Sequence, residues 1–252
     1  AMTRFRATTS GGPNFAYELC ARKITAAERA TLDLSRWRIA PVGAEPVRRE
    51  TLERFVETFR SCGFRREALF PCYGLAESTL FVSGGQFGTD AVTLLANGDA
   101  LAQGRFQEEQ AGSPMGREVQ SCGRIVPTME VVIAHPESLT RCEDGRVGEI
   151  WVAGASVALG YWNRTQETKE VFAAYLADNH RGPFLRTGDL GFLRDGQLFV
   201  TGRRKDLIIL HGRNLYPQDI EQTLERSHSA VRLGCTAAFS VERGGEERLA
   251  VA

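Results

Sequence analysis

Residues 70–79, Phe-Pro-Cys-Tyr-Gly-Leu-Ala-Glu-Ser-Thr, place an aromatic ring, a turn residue and a carboxylate in close succession. They follow a short apolar run, 67–70, which could be a strand, and Gly74 is a natural turn point. A strand that ends in such a turn lifts side chains into the crevice where open α/β sheets bind ligands. There the Tyr73 ring could stack on a nucleobase, and the Glu77 carboxylate could hold a hard cation such as Mg²⁺. By itself, such a stretch is more often a structural turn.

Two later stretches add groups that suit other parts of a nucleotide. Residues 187–191, Thr-Gly-Asp-Leu-Gly, hold the Asp189 carboxylate on a glycine-flanked turn. A carboxylate fixed in this way can accept hydrogen bonds from both hydroxyls of a vicinal diol such as that of ribose. Residues 202–206, Gly-Arg-Arg-Lys-Asp, form a short basic run, which by charge alone is typical of a solvated turn.

The composition excludes several functional classes. The 252 residues suffice for one large or two modest domains. Lys+Arg and Asp+Glu are equal at 31 each, so no net field would attract nucleic acid or a membrane surface. The six cysteines form no Cys-x-x-Cys pair, which argues against a zinc site and predicts free thiols in a reducing cytoplasm. The sequence also contains no apolar run long enough to span a membrane.

The first half of the chain has the pattern of a βαβ unit. Residues 34–42 are predicted to form a buried strand, a helix follows Pro46 and ends at Gly63, and residues 67–70 form a second strand parallel to the first. One face of the predicted helix carries apolar residues at helical spacing: Leu52, Phe55, Val56 and Phe59. The sequence Thr25-Ala26-Ala27-Glu28 fits a capping box that opens a separate, earlier helix.

Beyond the βαβ unit, the composition and the hydrophobic pattern of the sequence change at two points. Residues 84–121 are rich in Gly, Gln and Glu, and we interpret them as an excursion or insertion outside the core. Alternating patterns beyond residue 123 predict an antiparallel β region with strands at 129–133, 148–152, 184–187, 191–193 and 197–201, and a helix at 165–176. Beyond 206, a strand at 207–210, a helix from Pro217 and a strand at 234–240 are expected, while a final strand near 249–252 would lack neighbours. His211 is interpreted as a structural residue.

Taken in order, the three stretches resemble the motifs of the adenylate-forming ligases, which activate a carboxylate with ATP to give an acyl-AMP. Residues 10–17, Ser-Gly-Gly-Pro-Asn-Phe-Ala-Tyr, and residues 73–77, Tyr-Gly-Leu-Ala-Glu, are similar to the fatty acyl-AMP ligases in particular. The resemblance runs from Arg4 to the end of the chain. It implies an α/β fold with three parts: the latter α/β part of a large adenylating domain (3–122, with the insertion), an antiparallel β subdomain (123–205) and a hinge with the start of a small α+β C-terminal domain (206–252).

The resemblance also implies partners and roles for individual residues. ATP and Mg²⁺ would be the cofactors, a fatty acid the substrate, and the phosphopantetheine arm of an acyl carrier protein the acceptor. The implied nucleotide-binding residues are Val42, Gly43, Ala44, Tyr73, Gly74, Asp189 and Arg203. The implied catalytic residues are Glu77, as the Mg²⁺ ligand, and Arg203. The implied acyl-pocket residues are Phe15, Ala16 and Tyr17, and the implied hinge residue is Asp206.

Some family features are changed or lack a match. Ala76 stands where much of the superfamily has a threonine that contacts the α-phosphate; this favours the fatty acyl-AMP ligase subtype and leaves Ser78 as a weak substitute. The family's phosphate-binding loop would precede Arg4 and its catalytic lysine would follow Ala252. The Ala1-Met2 start indicates a cloning scar, so we expect the chain to begin partway through a larger protein and to make no acyl-AMP by itself.

Two alternatives remain open from the sequence. A fatty acyl-CoA synthetase would share the first step and use CoA as the acceptor; the stretch 84–121 discriminates against it, because the fatty acyl-AMP ligases carry an insertion in this region. The other alternative is a folded piece that binds an adenylate or a partner and catalyses nothing.

Overall fold

The computed structural model describes residues 1–210, 213–228, 230–232, 234–243 and 246–252; His211 lies outside these ranges. The α-helices are α1 (Met2–Phe5), α2 (Asn14–Lys23), α3 (Ala26–Arg29), α4 (Arg49–Phe59), α5 (Gly98–Ala102), α6 (Thr165–Phe172) and α7 (Pro217–Ser227). The strands are β1 (Ala40–Val42), β2 (Leu69–Tyr73), β3 (Ser83–Gly84), β4 (Thr93–Asn97), β5 (Gly116–Ile125), β6 (Met129–Ala134), β7 (Gly148–Gly154), β8 (Leu185–Arg194), β9 (Gln197–Arg203), β10 (Ile208–Leu210), β11 (Arg213–Leu215), β12 (Ala238–Arg243) and β13 (Glu246–Val251).

One large mixed sheet runs through most of the chain, in the order β1-β2-β3-β5-β9-β8-β7-β6, with β4 paired to β5. The α/β fold class is therefore confirmed. Strands β1 and β2 are parallel, with Pro41 opposite Phe70, as the βαβ pattern predicts. The other strands of this sheet pair antiparallel, so the predicted α/β and antiparallel parts share a single sheet. The predicted domain boundaries stay a prediction.

Helix α4 anchors the core beside the parallel strands. Its four predicted apolar residues are all buried, as their spacing required. The capping box at Thr25 and Glu28 is also present. The predicted strand 34–42 is confined to β1, because the Leu34 amide donates to the Cys62 carbonyl (2.7 Å) and the Trp37 amide turns back to the Leu34 carbonyl (2.9 Å). These hydrogen bonds hold the first half of the segment in a turn.

The interpretation of 84–121 as an excursion outside the core is wrong. The segment contains β4, α5 and most of β5, which lies between β3 and β9 near the middle of the sheet. Ala96, Leu101 and Val119 are buried and pack with Phe192 and Phe199 from β8 and β9. Most of the Gly, Gln and Glu residues lie in the loops between these elements, whereas the elements themselves contribute to the core.

Two predicted elements of the antiparallel region have different limits. The short strands expected at 184–187 and 191–193 form one continuous strand, β8. Only its pairing with β7 shifts register between them. Helix α6 ends at Phe172, short of the predicted 176, because Ala174 forms a β-bridge with Phe184.

The C-terminal residues form two hairpins, β10–β11 and β12–β13, around α7. The expectation that 249–252 would lack neighbours is wrong, since Leu249 lies opposite Ser240 in the second hairpin. Ion pairs join this part to the rest of the chain: Arg48–Glu225 (3.3 Å), Arg117–Asp219 (3.1 Å), Arg213–Asp99 and Arg226–Glu50. Two of these four pairs involve residues of the segment 84–121.

Candidate nucleotide-binding site

Three sequence stretches meet at the Asp189 carboxylate. Tyr73, the last residue of β2, donates its hydroxyl to Oδ2 of Asp189 at 2.7 Å. Arg203, the last residue of β9, donates Nε to Oδ1 at 3.0 Å. The predicted closeness of the Tyr73 and Asp189 side chains is thereby confirmed, although their positions differ by 116 in the sequence. The Tyr73 hydroxyl and the Arg203 guanidinium thus each hold one oxygen of the same carboxylate.

Burial and charge set the protonation states of this group. Asp189 is only 8% exposed. Burial, followed by the charge of Asp189, raises the pKa of the Tyr73 hydroxyl well above its usual value, so Tyr73 remains a hydrogen-bond donor at neutral pH. The hydrogen bond to Asp189 and the charge of that carboxylate raise the pKa of the Arg203 guanidinium. Asp189 therefore receives hydrogen bonds from one neutral and one cationic donor.

A bulge in β8 presents Asp189. Glu149 of β7 lies opposite Leu190, and Trp151 lies opposite Arg186. Only Ile150 separates the paired positions on β7, whereas Thr187, Gly188 and Asp189 separate them on β8. Gly188 adopts a positive φ of 73°, a conformation that favours glycine.

Thr187 stabilises this bulge from within. Its hydroxyl donates to the Ile150 carbonyl (2.7 Å) and accepts a hydrogen bond from the Asp189 amide (3.1 Å). The Thr-Gly-Asp order thus supplies, in turn, an anchor, a permissive backbone and the functional carboxylate.

The predicted adenine-side loop approaches the end of β2 closely. A Cβ atom at Gly43 would lie 2.7 Å from the Cys72 carbonyl oxygen, and one at Gly74 would lie 1.3 Å from the Leu80 carbonyl oxygen. Both glycines are therefore required by close backbone contacts. Ala44 adopts a positive φ of 67°. Because the Val42 side chain is fully buried in the core, only its backbone could face a ligand.

Glu77 lies on a 3-10 turn, Ala76–Ser78, that follows β2. Its Oε1 accepts a hydrogen bond from the Tyr161 hydroxyl at 2.7 Å, and its backbone carbonyl accepts one from the Ala158 amide at 2.7 Å. Burial, followed by the hydrogen bond to Glu77, raises the pKa of Tyr161 to about 12. Sequence reasoning missed Tyr161. Its candidate Ser78 is not available as a phosphate contact, because that side chain is buried and donates to the Leu75 carbonyl (3.1 Å).

Part of this set lines a crevice of about 370 Å³, within the size range of small-molecule sites: Glu77, Tyr161, Thr187, Gly188 and Arg203. Its lining residues do not include Tyr73, Asp189 or Gly43, so the adenosine pocket with Gly43 in its wall stays a prediction. Two further lining residues, Glu149 and Arg186, were also missed from the sequence. A charged residue inside the otherwise apolar predicted strand 148–152 was the signal that could have found Glu149.

Within the described part of the chain, no group of three or more His, Cys, Asp or Glu residues could hold a metal ion. A site with Glu77 as its single carboxylate fits Mg²⁺, which keeps several waters and is bound largely through substrate phosphates. Such a site does not suit a metal that requires a complete set of protein ligands.

The predicted acyl-pocket residues do not share one surface. Phe15 is 60% exposed, whereas Tyr17 is 4% exposed, packs edge-on against Phe55 (4.9 Å between ring centroids) and donates its hydroxyl to the Pro41 carbonyl at 3.0 Å. Because successive helix residues point about 100° apart, Phe15, Ala16 and Tyr17 cannot all face one pocket. Tyr17 is a core residue here, and the acyl-pocket role of Phe15 and Ala16 stays a prediction.

Asp206 ends a 3-10 turn, Arg204–Asp206, between β9 and β10. This position joins the large sheet to the C-terminal hairpins, as the hinge prediction requires, and the hinge role itself stays a prediction. The six cysteines are free. No helix among the described residues has the length and apolarity needed to cross a membrane.

Comparison with known proteins identifies the family. The profile described as "AMP-binding enzyme" matches residues 1–162. The chain belongs to the AMP-binding enzyme family.

Similar proteins share most of this chain. It is 54% identical over 256 aligned residues to a medium-chain-fatty-acid–[acyl-carrier-protein] ligase of Moorena producens, covering 99% of the chain. A structure from a study of fatty acyl-adenylate ligases from E. coli and L. pneumophila superposes with a TM-score of 0.88 at 36% identity, covering 99% of the chain. The fatty acyl-adenylate ligase of L. pneumophila in complex with acyl adenylate and pyrophosphate gives a TM-score of 0.79 at 46% identity, also over 99% of the chain. The chain spans only 43% of the length of the first two of these relatives and 44% of the third.

Proposed function

We propose that this chain is part of a fatty acyl-AMP ligase and supplies much of its nucleotide site. In the proposed reaction, a fatty acid carboxylate attacks the α-phosphorus of ATP, an acyl-AMP forms and pyrophosphate leaves. The thiol of an acyl carrier protein's phosphopantetheine arm then attacks the acyl carbonyl, and AMP leaves. The observation that carries the proposal is the meeting of Tyr73 and Arg203 at the Asp189 carboxylate.

Each residue of this group suits a different part of an adenylate. The Asp189 carboxylate would accept hydrogen bonds from the ribose hydroxyls, since a carboxylate oxygen accepts more than one hydrogen bond. The Tyr73 ring would stack on adenine, with Val42, Gly43, Ala44 and Gly74 supplying backbone on the adenine side. Arg203, which remains charged, would contact the nucleotide.

Glu77 would hold Mg²⁺ at the edge of the same crevice. When bound, the metal supplies neutralisation of the negative charge on the phosphates. The role of this chain is to orient the Glu77 carboxylate, which the 2.7 Å hydrogen bond from Tyr161 does directly.

The substrate and acceptor follow from the named relatives and from the resemblance. The relative from Moorena producens is named as a ligase of medium-chain fatty acids and acyl carrier protein. We propose a fatty acid as the substrate, an acyl carrier protein as the acceptor and the cytoplasm as the location. CoA is the acceptor that must be tested against this proposal.

The test uses the complete ligase that contains this chain. It is incubated with ATP, Mg²⁺ and saturated fatty acids of increasing length, and acyl-AMP and pyrophosphate are measured; holo acyl carrier protein and CoA are then added in separate reactions. The proposal predicts acyl-AMP formation and acyl transfer to the carrier protein. Acyl-AMP formation without any fatty acid preference, or efficient transfer to CoA alone, would contradict it.

Asp189→Asn provides the matched test of the site. It retains the shape of the side chain but removes the charge, and we expect nucleotide binding to weaken by about tenfold or more, because a hydrogen bond to a charged group contributes about 1.5–3 kcal/mol. The control is Asp195→Asn, in the exposed turn between β8 and β9, whose side chain is 85% exposed. Equal nucleotide affinity in the two variants would remove Asp189 from the proposed site.

A further inference from the structure

Glu149 is a buried carboxylate in the wall of the crevice, and the proposed reaction assigns it no role. It lies on β7 and is 2% exposed. Acidic side chains are almost never buried to this extent unless they are paired. The partners of Glu149 therefore indicate what it does.

Its first partner is Arg186, at one end of the bulge that carries Asp189. The backbone of Glu149 lies opposite Leu190, on one side of the bulge. Its carboxylate binds Arg186, on the other side, through Nη2 (2.7 Å) and Nε (3.2 and 3.3 Å). The Arg186 guanidinium also lies over the Trp151 ring, 5.5 Å from its centroid. A single residue of β7 thus holds both ends of the bulge.

Its second partner is Arg204, which is next to Arg203 in the sequence. Nη1 of Arg204 lies 3.8 Å from Oε2 of Glu149. Arg204 directly follows Arg203, which donates to Asp189. The same buried carboxylate therefore contacts Arg204, next to Arg203, as well as Arg186 at the end of the Asp189 bulge.

The backbone pairs the Asp189 region regularly on the β9 side, where Asp189 lies opposite Arg203, but not on the β7 side. The β7–β8 ladder shifts between Glu149 and Trp151, and the β8–β9 ladder shifts between Leu190 and Gly191. Regular ladder hydrogen bonds are interrupted where a bulge inserts extra residues. On the β7 side, side-chain contacts supply the constraint on Asp189 that the interrupted ladder does not.

We propose that Glu149 is a positioning residue, which holds the Asp189 bulge and the Arg203 end of β9 in the geometry that receives an adenylate. This inference rests on the proposed function for its ligand and on the contacts of Glu149 for its mechanism. Glu149→Gln would retain the side-chain shape but remove the negative charge that faces Arg186.

The test combines hydrogen exchange with AMP binding on the complete ligase that contains this chain. The variants are Glu149→Gln and Arg186→Lys; the latter retains the charge and loses the two-pronged contact. The control is Glu130→Gln on the neighbouring strand β6, where Glu130 pairs with Arg181 (2.8 Å) and its side chain is 39% exposed. Amide exchange is followed at 186–190, because the Asp189 amide is bonded within the bulge.

Both variants should speed amide exchange at 186–190 relative to Glu130→Gln. They should also weaken AMP binding by about tenfold, the size of loss that is typical when the residues supporting a binding group are changed. Adding Glu149→Gln to Asp189→Asn should weaken AMP binding no further, because residues that act through one another are not additive. Exchange equal to that of Glu130→Gln, or additive losses in the double variant, would overturn the inference. If the unaltered ligase bound no AMP, the proposed function would fail, while the exchange result would still decide whether Glu149 positions the bulge.

Discussion

Tyr73→Phe removes a single hydroxyl from the centre of the site and leaves the ring in place. The lost group donates a 2.7 Å hydrogen bond to Oδ2 of Asp189, which is 8% exposed. Hydrogen bonds to charged groups contribute about 1.5–3 kcal/mol, and a buried acceptor left with fewer donors loses that amount. For a chain of this size, each kcal/mol shifts the melting temperature by roughly 2–4 °C, so we expect a decrease of about 3–12 °C.

The assay is thermal unfolding followed by circular dichroism at neutral pH. Tyr175→Phe is the matched control, since Tyr175 is 48% exposed and loses the same atom. A melting temperature for Tyr73→Phe equal to that of Tyr175→Phe would refute the reasoning, because the hydroxyl would then contribute nothing that water does not replace.

The pKa of Tyr73 adds a second, independent readout. It is raised in the folded protein, mainly by burial and then by the charge of Asp189. The stabilisation is therefore fully present below the ordinary tyrosine pKa of about 10 and is lost as the pH rises beyond it, where the unfolded chain releases a proton that the folded chain retains. The stability difference between the unaltered chain and Tyr73→Phe should narrow above pH ~10, and a constant difference would contradict the assigned burial.

Three further predictions concern the metal site, the C-terminal contacts and the isolated chain. Tyr161→Phe frees the Glu77 carboxylate from its 2.7 Å hydrogen bond, and should raise the Mg²⁺ concentration needed for half-maximal adenylation by the complete ligase several-fold; an unchanged Mg²⁺ requirement would argue against this orientation. Deleting the tip of 84–121, or Arg117→Ala, which breaks the ion pair with Asp219, should loosen the C-terminal part and raise transfer to CoA; an unchanged product distribution in mass spectrometry would count against the idea. The chain by itself, given ATP, Mg²⁺ and a long-chain fatty acid, should yield no acyl-AMP, since a missing charge-stabilising group commonly costs about 10²–10³ in rate; turnover near that of the complete ligase would contradict this.

Local patterns in the sequence were sufficient for several elements. The apolar stripe of α4 predicted its buried face, because helical periodicity alone decides which residues share a face. The parallel pairing of β1 and β2 followed from the strand–helix–strand order. The residues Tyr73, Asp189 and Arg203 were each recognisable from short stretches, and their resemblance to one family predicted that they meet.

Only the tertiary structure decided which residues support that meeting. The segment 84–121 has the composition of a loop, yet it places Val119 in the core, because its strands are stabilised by neighbours distant in sequence. The contacts of Glu149 with Arg186 and of Tyr161 with Glu77 depend on a ladder shift and on a turn that bring separate segments together. Such contacts leave no periodic signal in the sequence, since they depend on strand register and on the packing of distant segments, which only the folded chain specifies.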